Sequence, residues 1–400
     1  MSDLSLQLQQ AASQLPVSSY FDEALHRREM ESIFQQGPRY VGHQLSVPNL
    51  GDFYALPLEG EGRALLRTPA GVELISNVCR HRQAVILKGR GTTLAGASSG
   101  GNIVCPLHRW TYSAGQDAPA GRLLGAPHFA EDPCLDLNNY PLQEWNGLLF
   151  EQAGGVDVAA DLAGMGPRAE LDFTGYVLDR VEMHACNYNW KTFIEVYLED
   201  YHVGPFHPGL GSFVTCEDLR WEFKDRYSVQ TVGVANRLGK AGSPVYERWQ
   251  DALLKYRNGE PPKYGAIWLT YYPHIMVEWY PHVLTVSTLV PMGPRKTMNM
   301  VQFFYPEEIA AFEREFVEAQ QAAYMETCKE DDEIAERMDA GRHALLQRGD
   351  NEIGPYQSPM EDGMQHFHEW YRGAMRKNGP PMAFASAAQG GASVLRRLGT

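Results

Sequence analysis

The sequence predicts an α+β protein of two domains, an all-β domain over residues 38–153 and an α+β domain over residues 154–400, preceded by a helical segment over residues 1–37. With 400 residues, 44% of them hydrophobic, the chain can bury more than one core. Residues 38–152 alternate short apolar runs with turn residues, which is typical of sheets. A stretch rich in Gly and Ala, residues 154–167, separates them from a region of strand patterns and long helical patterns.

Local sequence signals predict the secondary-structure elements along the chain. Asp22 is a helix-capping residue and is expected to open a helix over residues 23–35. The turn Thr68-Pro-Ala-Gly71 between two apolar runs predicts a β-hairpin, and the Gly-, Ser- and Thr-rich residues 89–102 predict a flexible surface extension. Beyond the connector, the patterns predict a strand at 176–187, a helix at 189–201, strands through 291, helices at 307–346 and 360–376, and a loosely held tail from 379.

Composition narrows the classes of partner and location. The formal net charge of −14 and the pI near 5.4 do not favour a nucleic-acid or anionic-membrane partner. No apolar run reaches membrane-spanning length, and the first residues lack the basic and apolar regions of a signal peptide. We therefore expect a cytoplasmic protein without disulfides, because four cysteines have no paired spacing: Cys134, Cys186, Cys216 and Cys328.

Two short motifs, Cys79-Arg80-His81 and Cys105-Pro-Leu-His108, combine two thiols with two imidazoles. This donor set suits a [2Fe-2S] cluster in which two cysteines hold one iron and two histidines hold the other. A structural zinc ion accepts the same donors. Trp110 and Tyr112 follow the second pair, and such apolar bulk would limit water access and tune a redox potential, which favours the cluster over zinc.

A second group of ligands lies near the end of the helix predicted from residue 189. Apolar residues recur there at helical spacing, so the helix is expected to bury one face, Tyr201 included, and to end at Gly204-Pro205. His202 would then leave the last turn and His207 the following loop, so that their rings can converge on one ion. Two histidines need a carboxylate to complete an iron site that keeps positions open for oxygen.

The carboxylate is expected in or after the long helix over 307–346. Asp331 should face the core, because it shares an apolar stripe with four residues: Tyr324, Cys328, Ala335 and Met338. A lone acid there is costly unless it is paired, with Arg337 or Arg342, or bound to metal. Asp332 points about 100° away around the helix and should be solvated. The other acids considered are Glu330, Asp339, Glu361 and Asp362.

These motifs resemble those of the Rieske non-haem iron, ring-hydroxylating oxygenases. The family's usual Cys-Pro-Tyr/Leu-His-Gly-Trp corresponds to residues 105–110, with Arg109 in place of glycine. Its Asn-Trp-Lys, Glu-Asn and acid-x-Tyr-His-x4-His correspond to residues 189–207, with Val196 in place of asparagine. Its Glu-Asp-x-x-Ile corresponds to residues 330–334 and also selects Asp331. The resemblance covers essentially the whole chain.

The resemblance implies an N-terminal all-β Rieske [2Fe-2S] domain and a C-terminal α+β catalytic domain with an antiparallel sheet and helices. It implies that His202, His207 and Asp331 hold a mononuclear Fe(II) at which O2 is activated. Electrons would come from NAD(P)H through a separate reductase or ferredoxin, and the subunits would form a homotrimer. The implied cluster ligands, with the tryptophan beside them, are Cys79, His81, Cys105, His108 and Trp110.

Glu199, three residues before His202, takes the family position of an acid that bridges a histidine of a neighbouring subunit's cluster to a histidine of the iron site. Similar oxygenases of quaternary amines such as carnitine also carry Glu there, which hints at a small cationic or methylated substrate. The alternative is a surface salt bridge with Lys191 or Arg180, and Asp200 is expected to be such a surface acid.

Strands at residues 266–290 are rich in aromatic residues. Strand propensity explains them as core residues. A cage of such rings would also hold a quaternary ammonium by cation–π attraction, in which case we expect Trp268, Tyr271 or Trp279 near the pocket.

The sequence thus predicts the terminal oxygenase component of a Rieske oxygenase, which hydroxylates or oxidatively demethylates a small organic substrate. Aromatic-ring cis-dihydroxylation is the alternative within the enzyme class. Two other function classes remain. A Rieske electron-transfer protein would need only the first half of the chain, and a binding module stabilised by a structural zinc ion would need no redox partner. An acidic redox partner would find basic residues around the cluster, namely Arg80, Arg82, Lys88, Arg90 and Arg109.

Overall fold

The computed structural model describes residues 14–94, 100–152, 155–166, 168–235, 238 and 240–377. The strands of the N-terminal half are β1 Arg39–His43, β2 Asp52–Ala55, β3 Arg63–Thr68, β4 Gly71–Ser76, β5 Arg90–Thr92, β6 Ile103–Val104, β7 Thr111–Tyr112, β8 Leu123–Gly125, β9 Asn139–Tyr140, β10 Leu142–Trp145 and β11 Leu148–Glu151. Those of the C-terminal half are β12 Tyr176–Cys186, β13 Val214–Lys224, β14 Tyr227–Val234, β15 Ala266–Tyr271, β16 Ile275–Tyr280, β17 Val283–Gly293 and β18 Lys296–Pro306.

The α-helices are α1 Glu23–Glu29, α2 Val158–Leu162, α3 Trp190–Tyr197, α4 Val203–Phe206, α5 Leu210–Phe213, α6 Pro244–Tyr256, α7 Glu307–Phe312, α8 Arg314–Arg348 and α9 Asp362–Lys377. Short 3-10 helices cover Val17–Tyr20, Gln44–Ser46, Pro57–Glu59, Ala163–Met165 and Ala169–Leu171, and a π-helical turn covers Met30–Phe34.

Strands β1 to β11 form three small antiparallel sheets, which confirms an all-β N-terminal region. Their orders are β1-β11-β10, β5-β2-β3-β4-β9 and β6-β7-β8. The β3–β4 hairpin pairs Thr68 with Gly71, as the turn sequence predicts. The start of the Gly- and Ser-rich stretch is strand β5, because it pairs with the edge of β2, and residues 95–99 lie outside the described residues.

Strands β12 to β18 form one antiparallel sheet in the order β12-β18-β17-β16-β15-β14-β13, which confirms the predicted C-terminal architecture. One face packs against α6 and α8 through Trp249, Phe303 and Phe316. The other face packs against α2 and against Tyr40 and Phe150 of the N-terminal region. Since side chains alternate along a strand, every second residue of β15 and β16 points toward α8.

Several predictions about helices differ from the structure. The predicted connector contains α2, because Asp157 caps a helix whose Val158 and Leu162 are buried. The long helix is divided into α7 and α8 at Glu313, which has non-helical dihedral angles. Asp22 caps α1 as predicted, but the α-helix changes to a π-helical turn after residue 29. Residues 1–13 and the predicted tail from 379 lie outside the described residues.

Among the residues that the structure describes, no helix is long and apolar enough to cross a membrane.

Candidate metal centres and substrate cavity

The two Cys-His motifs lie on two tight turns that face each other. In the first turn the N–H of Cys79 donates to the carbonyl of Ala84, and in the second the N–H of Cys105 donates to the carbonyl of Trp110. Arg109 has a left-handed φ of 60°, a conformation that glycine adopts without strain. The turn therefore explains why glycine suits this position and shows that arginine is also accommodated.

Aromatic residues cover the four converging side chains. Trp110 is buried and stacks on the His81 ring, with centroids 5.0 Å apart, and the His81 and His108 rings lie 4.7 Å apart. The Tyr112 hydroxyl lies 3.4 Å from Sγ of Cys79. Burial acts to raise the pKa of the Cys79 thiol, but the hydrogen bond with Tyr112 and nearby backbone N–H groups lower it overall, which favours the thiolate that a metal requires. Of the four converging residues, Cys79 and Cys105 are buried, His81 is half-buried and His108 is exposed.

The helix that leads to His202 ends earlier than predicted. Helix α3 stops at Tyr197, and Gly204-Pro205 lies inside the short helix α4 rather than ending α3. Proline is accepted there because the first turn of a helix leaves N–H groups without a helical partner. Tyr201, expected on the buried face, is 59% exposed. His202 and His207 flank α4 on its two sides, which brings their rings together.

His202, His207 and Asp331 converge, as the sequence predicts. Nε2 of His202 lies 3.0 Å from Nε2 of His207, and Oδ1 of Asp331 lies 3.4 Å and 3.0 Å from these two atoms. Atoms that bind one metal ion at right angles and at about 2.1 Å are about 3.0 Å apart, so the three form one face of a metal site. The arginines considered as partners of Asp331 pair elsewhere, Arg337 with Glu333 and Arg342 with Glu195.

The charges at this site favour a cation. Burial acts to lower the pKa of His202, but Asp331 and Glu199 raise it to about 10. Burial acts to raise the pKa of Asp331, but the two histidines hold it below its usual range. Because carboxylates surround the paired rings, a bound metal ion would take the place of the protons.

A carboxylate lies behind each histidine. Oε1 of Glu199 is 2.5 Å from Nδ1 of His202, and Oε2 of Glu330 is 2.7 Å from Nδ1 of His207. Carboxylates in this position orient a ligating ring and raise its basicity. Glu199 makes this contact from the turn that follows α3. From the sequence, Glu330 was considered only as a metal ligand. Its position next to Asp331 was the signal that it could instead orient a ligating histidine.

Buried polar contacts hold α3 in place. The Asn189 side chain caps the helix by accepting from the N–H of Lys191. Trp190 and Lys191 both donate to the buried Glu29, at 3.0 Å and 2.7 Å. Lys191 is therefore not a partner of Glu199, and Arg180, the other expected partner, pairs with Glu182.

The prediction that Asp332 is solvated is wrong. Asp332 is half-buried, accepts a hydrogen bond from the Tyr188 hydroxyl at 2.8 Å and lies 2.9 Å from Nε2 of His184. The end of β12 covers this side of α8, so a residue 100° away from Asp331 still faces protein. Asp332 raises the pKa of His184 to about 10 through this contact.

A cavity adjoins the His202, His207 and Asp331 group. Its wall is largely aromatic, with Tyr197, Tyr246, Trp249, Trp268, Tyr280 and Tyr324. Trp268 lies there as expected, but Tyr271 and Trp279 do not, because they alternate to the opposite face of the sheet. Among the described residues that line the cavity there is no lysine or arginine, whereas four carboxylates line it, namely Glu199, Asp200, Glu278 and Asp331.

Glu278 is a fully buried acid that sequence reasoning missed. It accepts hydrogen bonds from the hydroxyls of Tyr324, at 2.8 Å, and Tyr280, at 3.1 Å. Burial raises the pKa of its carboxyl group to about 7. A single acid within the otherwise apolar strand β16 was the signal that could have identified it.

Asp200 is not the surface acid that the sequence suggested. It is 3% exposed, and the Gln230 amide donates to its Oδ1. Its Oδ2 is buried without a hydrogen-bond partner among the described residues. Burial raises the pKa of Asp200 to about 7.

The two donor sets fit the two groups that the motifs imply. Two thiols and two imidazoles with aromatic cover match an asymmetric [2Fe-2S] cluster, and Nδ1 of His81 is buried without a partner among the described residues. Two imidazoles and one carboxylate beside a cavity match a mononuclear iron with open positions.

Comparisons with known proteins agree with this architecture. The model of the ring hydroxylating alpha subunit (catalytic domain) matches residues 169–377, and that of the Rieske [2Fe-2S] domain matches residues 38–141. Putrescine 2-hydroxylase of Ralstonia nicotianae is 65% identical over 377 residues, 94% of this chain and 100% of that protein. Putrescine 2-hydroxylase of Bordetella bronchiseptica is 62% identical over 373 residues, 91% of this chain and 85% of that protein.

A solved structure of a quaternary ammonium Rieske monooxygenase, described for carnitine oxidation and inter-subunit electron transfer, superposes with a TM-score of 0.70 and 17% identity, covering 93% of this chain and 98% of that one. The chain therefore belongs to the family of ring-hydroxylating oxygenase alpha subunits, terminal oxygenases with a Rieske [2Fe-2S] cluster and a mononuclear iron that use dioxygen and electrons from an external reductase.

Proposed function

We propose that the protein hydroxylates a short aliphatic diamine, of which putrescine is the example that two relatives carry in their names. The observation that carries this proposal is the cavity beside His202, His207 and Asp331. Among the residues that the structure describes, the lining of this cavity is acidic and aromatic and contains no lysine or arginine. Such a lining favours a small cation over an anionic or neutral aromatic compound.

We assign the cluster to Cys79, His81, Cys105 and His108, with Trp110 shielding it, and the iron to His202, His207 and Asp331. When bound, the cluster passes on electrons that a reductase or ferredoxin draws from NAD(P)H, and the iron supplies the activation of dioxygen. Residues 38–153 would form the cluster domain and residues 154–400 the catalytic domain.

The residues of the chain contribute orientation and the exclusion of water. Glu199 and Glu330 hold Nδ1 of the two histidines, which leaves both Nε2 atoms directed at Asp331. The aromatic wall limits water around the reacting carbon and provides ring faces for a cation.

We also propose that the subunits form a homotrimer in a cytoplasmic setting. The exposed edge of the cluster site is at His108, and none of the residues that line the iron-side cavity comes from the cluster region. A path from His108 of one subunit to Glu199 of the next would serve electron transfer, as the inter-subunit transfer described for the related structure suggests. The basic residues around the cluster offer a docking surface to an acidic redox partner.

Oxidative demethylation of a quaternary amine is the second candidate, because the aromatic wall suits such a cation. A quaternary nitrogen has no N–H, however, and cannot hydrogen-bond to Glu278. Primary ammonium groups satisfy a buried carboxylate by charge-assisted hydrogen bonds, so the acidic lining favours a primary amine.

Reductase-coupled oxygen uptake over a panel of diamines, quaternary amines and aromatic acids tests the proposal. We expect uptake and a hydroxylated product with diamines of putrescine length. The Asp331→Ala variant should show neither, and Glu217→Gln, an exposed acid outside the cavity, serves as the matched control. Turnover restricted to quaternary amines, with formaldehyde release, or to aromatic acids, with diol products, would overturn the proposal.

A further inference from the structure

Two buried carboxylates of the cavity, unlike two other buried acids, have no lysine or arginine partner within the part of the chain that the structure describes. Glu29 pairs with Lys191 at 2.7 Å, and Glu195 pairs with Arg342 at 2.6 Å. By contrast, neither Glu278 nor Asp200 is ion-paired with a lysine or arginine of the described ranges. A buried charge without a partner is costly, so the fold retains two acids that a cation from outside would stabilise.

The two acids lie at the two ends of one row across the sheet. Gln230 on β14 is directly opposite Trp268 on β15, and Trp268 is directly opposite Glu278 on β16. Neighbouring strands are about 4.8 Å apart, so the backbones of Gln230 and Glu278 are separated by about 10 Å. Asp200 is attached to the far end of this row by the hydrogen bond from Gln230, and Trp268 lies in the middle.

Both carboxylates have acceptor capacity to spare. Each oxygen of Glu278 accepts one tyrosine hydroxyl, whereas an ionised carboxylate has about four acceptor positions. Asp200 uses Oδ1 for Gln230 and leaves Oδ2 buried and unpartnered. Each acid can therefore receive the N–H groups of one ammonium without losing its present contacts.

We propose that Glu278 and Asp200 bind the two ammonium groups of one short dication, with its apolar chain lying against Trp268. This inference rests on the proposed function and identifies the residues that set its specificity. The number of acids agrees, because Glu199 and Asp331 already face the histidine pair, which leaves Glu278 and Asp200 as the two carboxyl groups of the lining for the substrate. Attachment at both ends determines which methylene faces His202, His207 and Asp331.

The first test uses the wild-type holoenzyme with its cluster oxidised, so that no turnover interferes. Dissociation constants are measured by calorimetry for putrescine, for butylamine with one ammonium group, and for butane-1,4-diol with none. We expect affinity to fall by about tenfold or more with each charge removed, since each loses a desolvated charge-assisted contact. Equal binding of putrescine and butylamine would overturn the inference.

The second test uses Glu278→Gln, Asp200→Asn and the double variant, with Glu217→Gln as the control for loss of a surface charge. Each single variant should bind putrescine about 30-fold more weakly and should hydroxylate it at more than one carbon, because one end is released. A role in folding alone would not change the position of hydroxylation. Binding within threefold of wild type, with an unchanged product, would overturn the inference.

The two proposals fail in different ways. If the wild-type enzyme oxidises no amine, the proposed function is wrong and this inference falls with it. If it hydroxylates putrescine while the variants keep wild-type affinity and a single product, the function stands and only the two-point binding is wrong.

Discussion

The two groups of candidate metal ligands are built in different ways. The N-terminal group comes from two tight turns whose own backbone hydrogen bonds position Cys79 and Cys105. The C-terminal group combines the two ends of α4 with Asp331 from α8, and a further carboxylate holds each histidine. Local sequence therefore specifies the first group, whereas tertiary packing assembles the second. Substitution of a ligand in one group should therefore leave the other group intact. Substitution of surrounding residues should affect the second group more than the first.

The largest expected effect is that either metal site can be lost while the other is retained. Asp331→Ala should lose the mononuclear iron and all turnover while the reduced protein keeps its Rieske paramagnetic resonance signal, because Asp331 contacts only the C-terminal group. His108→Ala should lose that signal and keep one iron per chain. Iron and acid-labile sulfide analysis with resonance spectra provides the measurement. Loss of both metals in either variant would mean that the groups are not independent.

A smaller effect is expected at Glu199, the residue proposed to couple the two metal sites. Glu199→Gln keeps the volume and removes the charge beside Nδ1 of His202, so both metals should remain while product formation falls about 100-fold. Glu182→Gln, which removes a surface partner of Arg180, is the control. Single-turnover reoxidation of reduced protein checks this, and a wild-type rate in the variant would show that Glu199 does not couple the two metal sites.

The carboxylate behind the second histidine should affect iron retention. Glu330→Gln weakens the hold on Nδ1 of His207, and loss of such a contact reduces metal affinity by about 10- to 100-fold. Glu333→Gln, on the exposed side of the same helix, is the matched control. Iron loss to a chelator over time distinguishes them. Identical loss curves for both variants would show that Glu330 does not support the site.

Glu278, the buried acid of the cavity, should lower the free energy of unfolding in a pH-dependent way. Burial raises the pKa of Glu278 to about 7 from an unfolded value of 4.5, so between these values the folded state binds more protons than the unfolded state. Stability should therefore fall as pH rises through this window, by on the order of 3 kcal/mol. Thermal unfolding of Glu278→Gln should show a gain over wild type at pH 8 that shrinks at pH 5. A variant that is less stable at pH 8 would contradict this account.

The smallest effect is expected at Asp332. Asp332→Asn weakens contacts with His184 and Tyr188, and because the group is half-buried we expect a loss of about 1 kcal/mol in the free energy of unfolding. Iron content and turnover should stay near wild type. A variant that loses its iron would place Asp332, rather than its neighbour, in the metal site.

The contrast between the groups also explains what the sequence could predict. The Cys and His side chains of the two turns converge as predicted, because their spacing and aromatic cover are close together in the chain. Asp331 faces His202 and His207 as predicted, because a helical stripe has a fixed period. The roles of these residues as metal ligands stay predictions. The period could not reveal that β12 covers Asp332, nor that Pro205 lies inside a short helix instead of ending one. Asp200 and Glu278 were missed because their burial depends on the packing of the metal-binding turn and α8 against the sheet.

The claim that the protein hydroxylates a short diamine is tested most directly by following the oxygen atoms of dioxygen into the product. Wild-type enzyme, reductase and putrescine are supplied with dioxygen that carries a heavy isotope, and the product is analysed by mass spectrometry. The account predicts a diamine that retains both nitrogens and carries one labelled hydroxyl on an interior carbon. An unlabelled product, a product with two labelled oxygens, or an aldehyde that has lost nitrogen would contradict it.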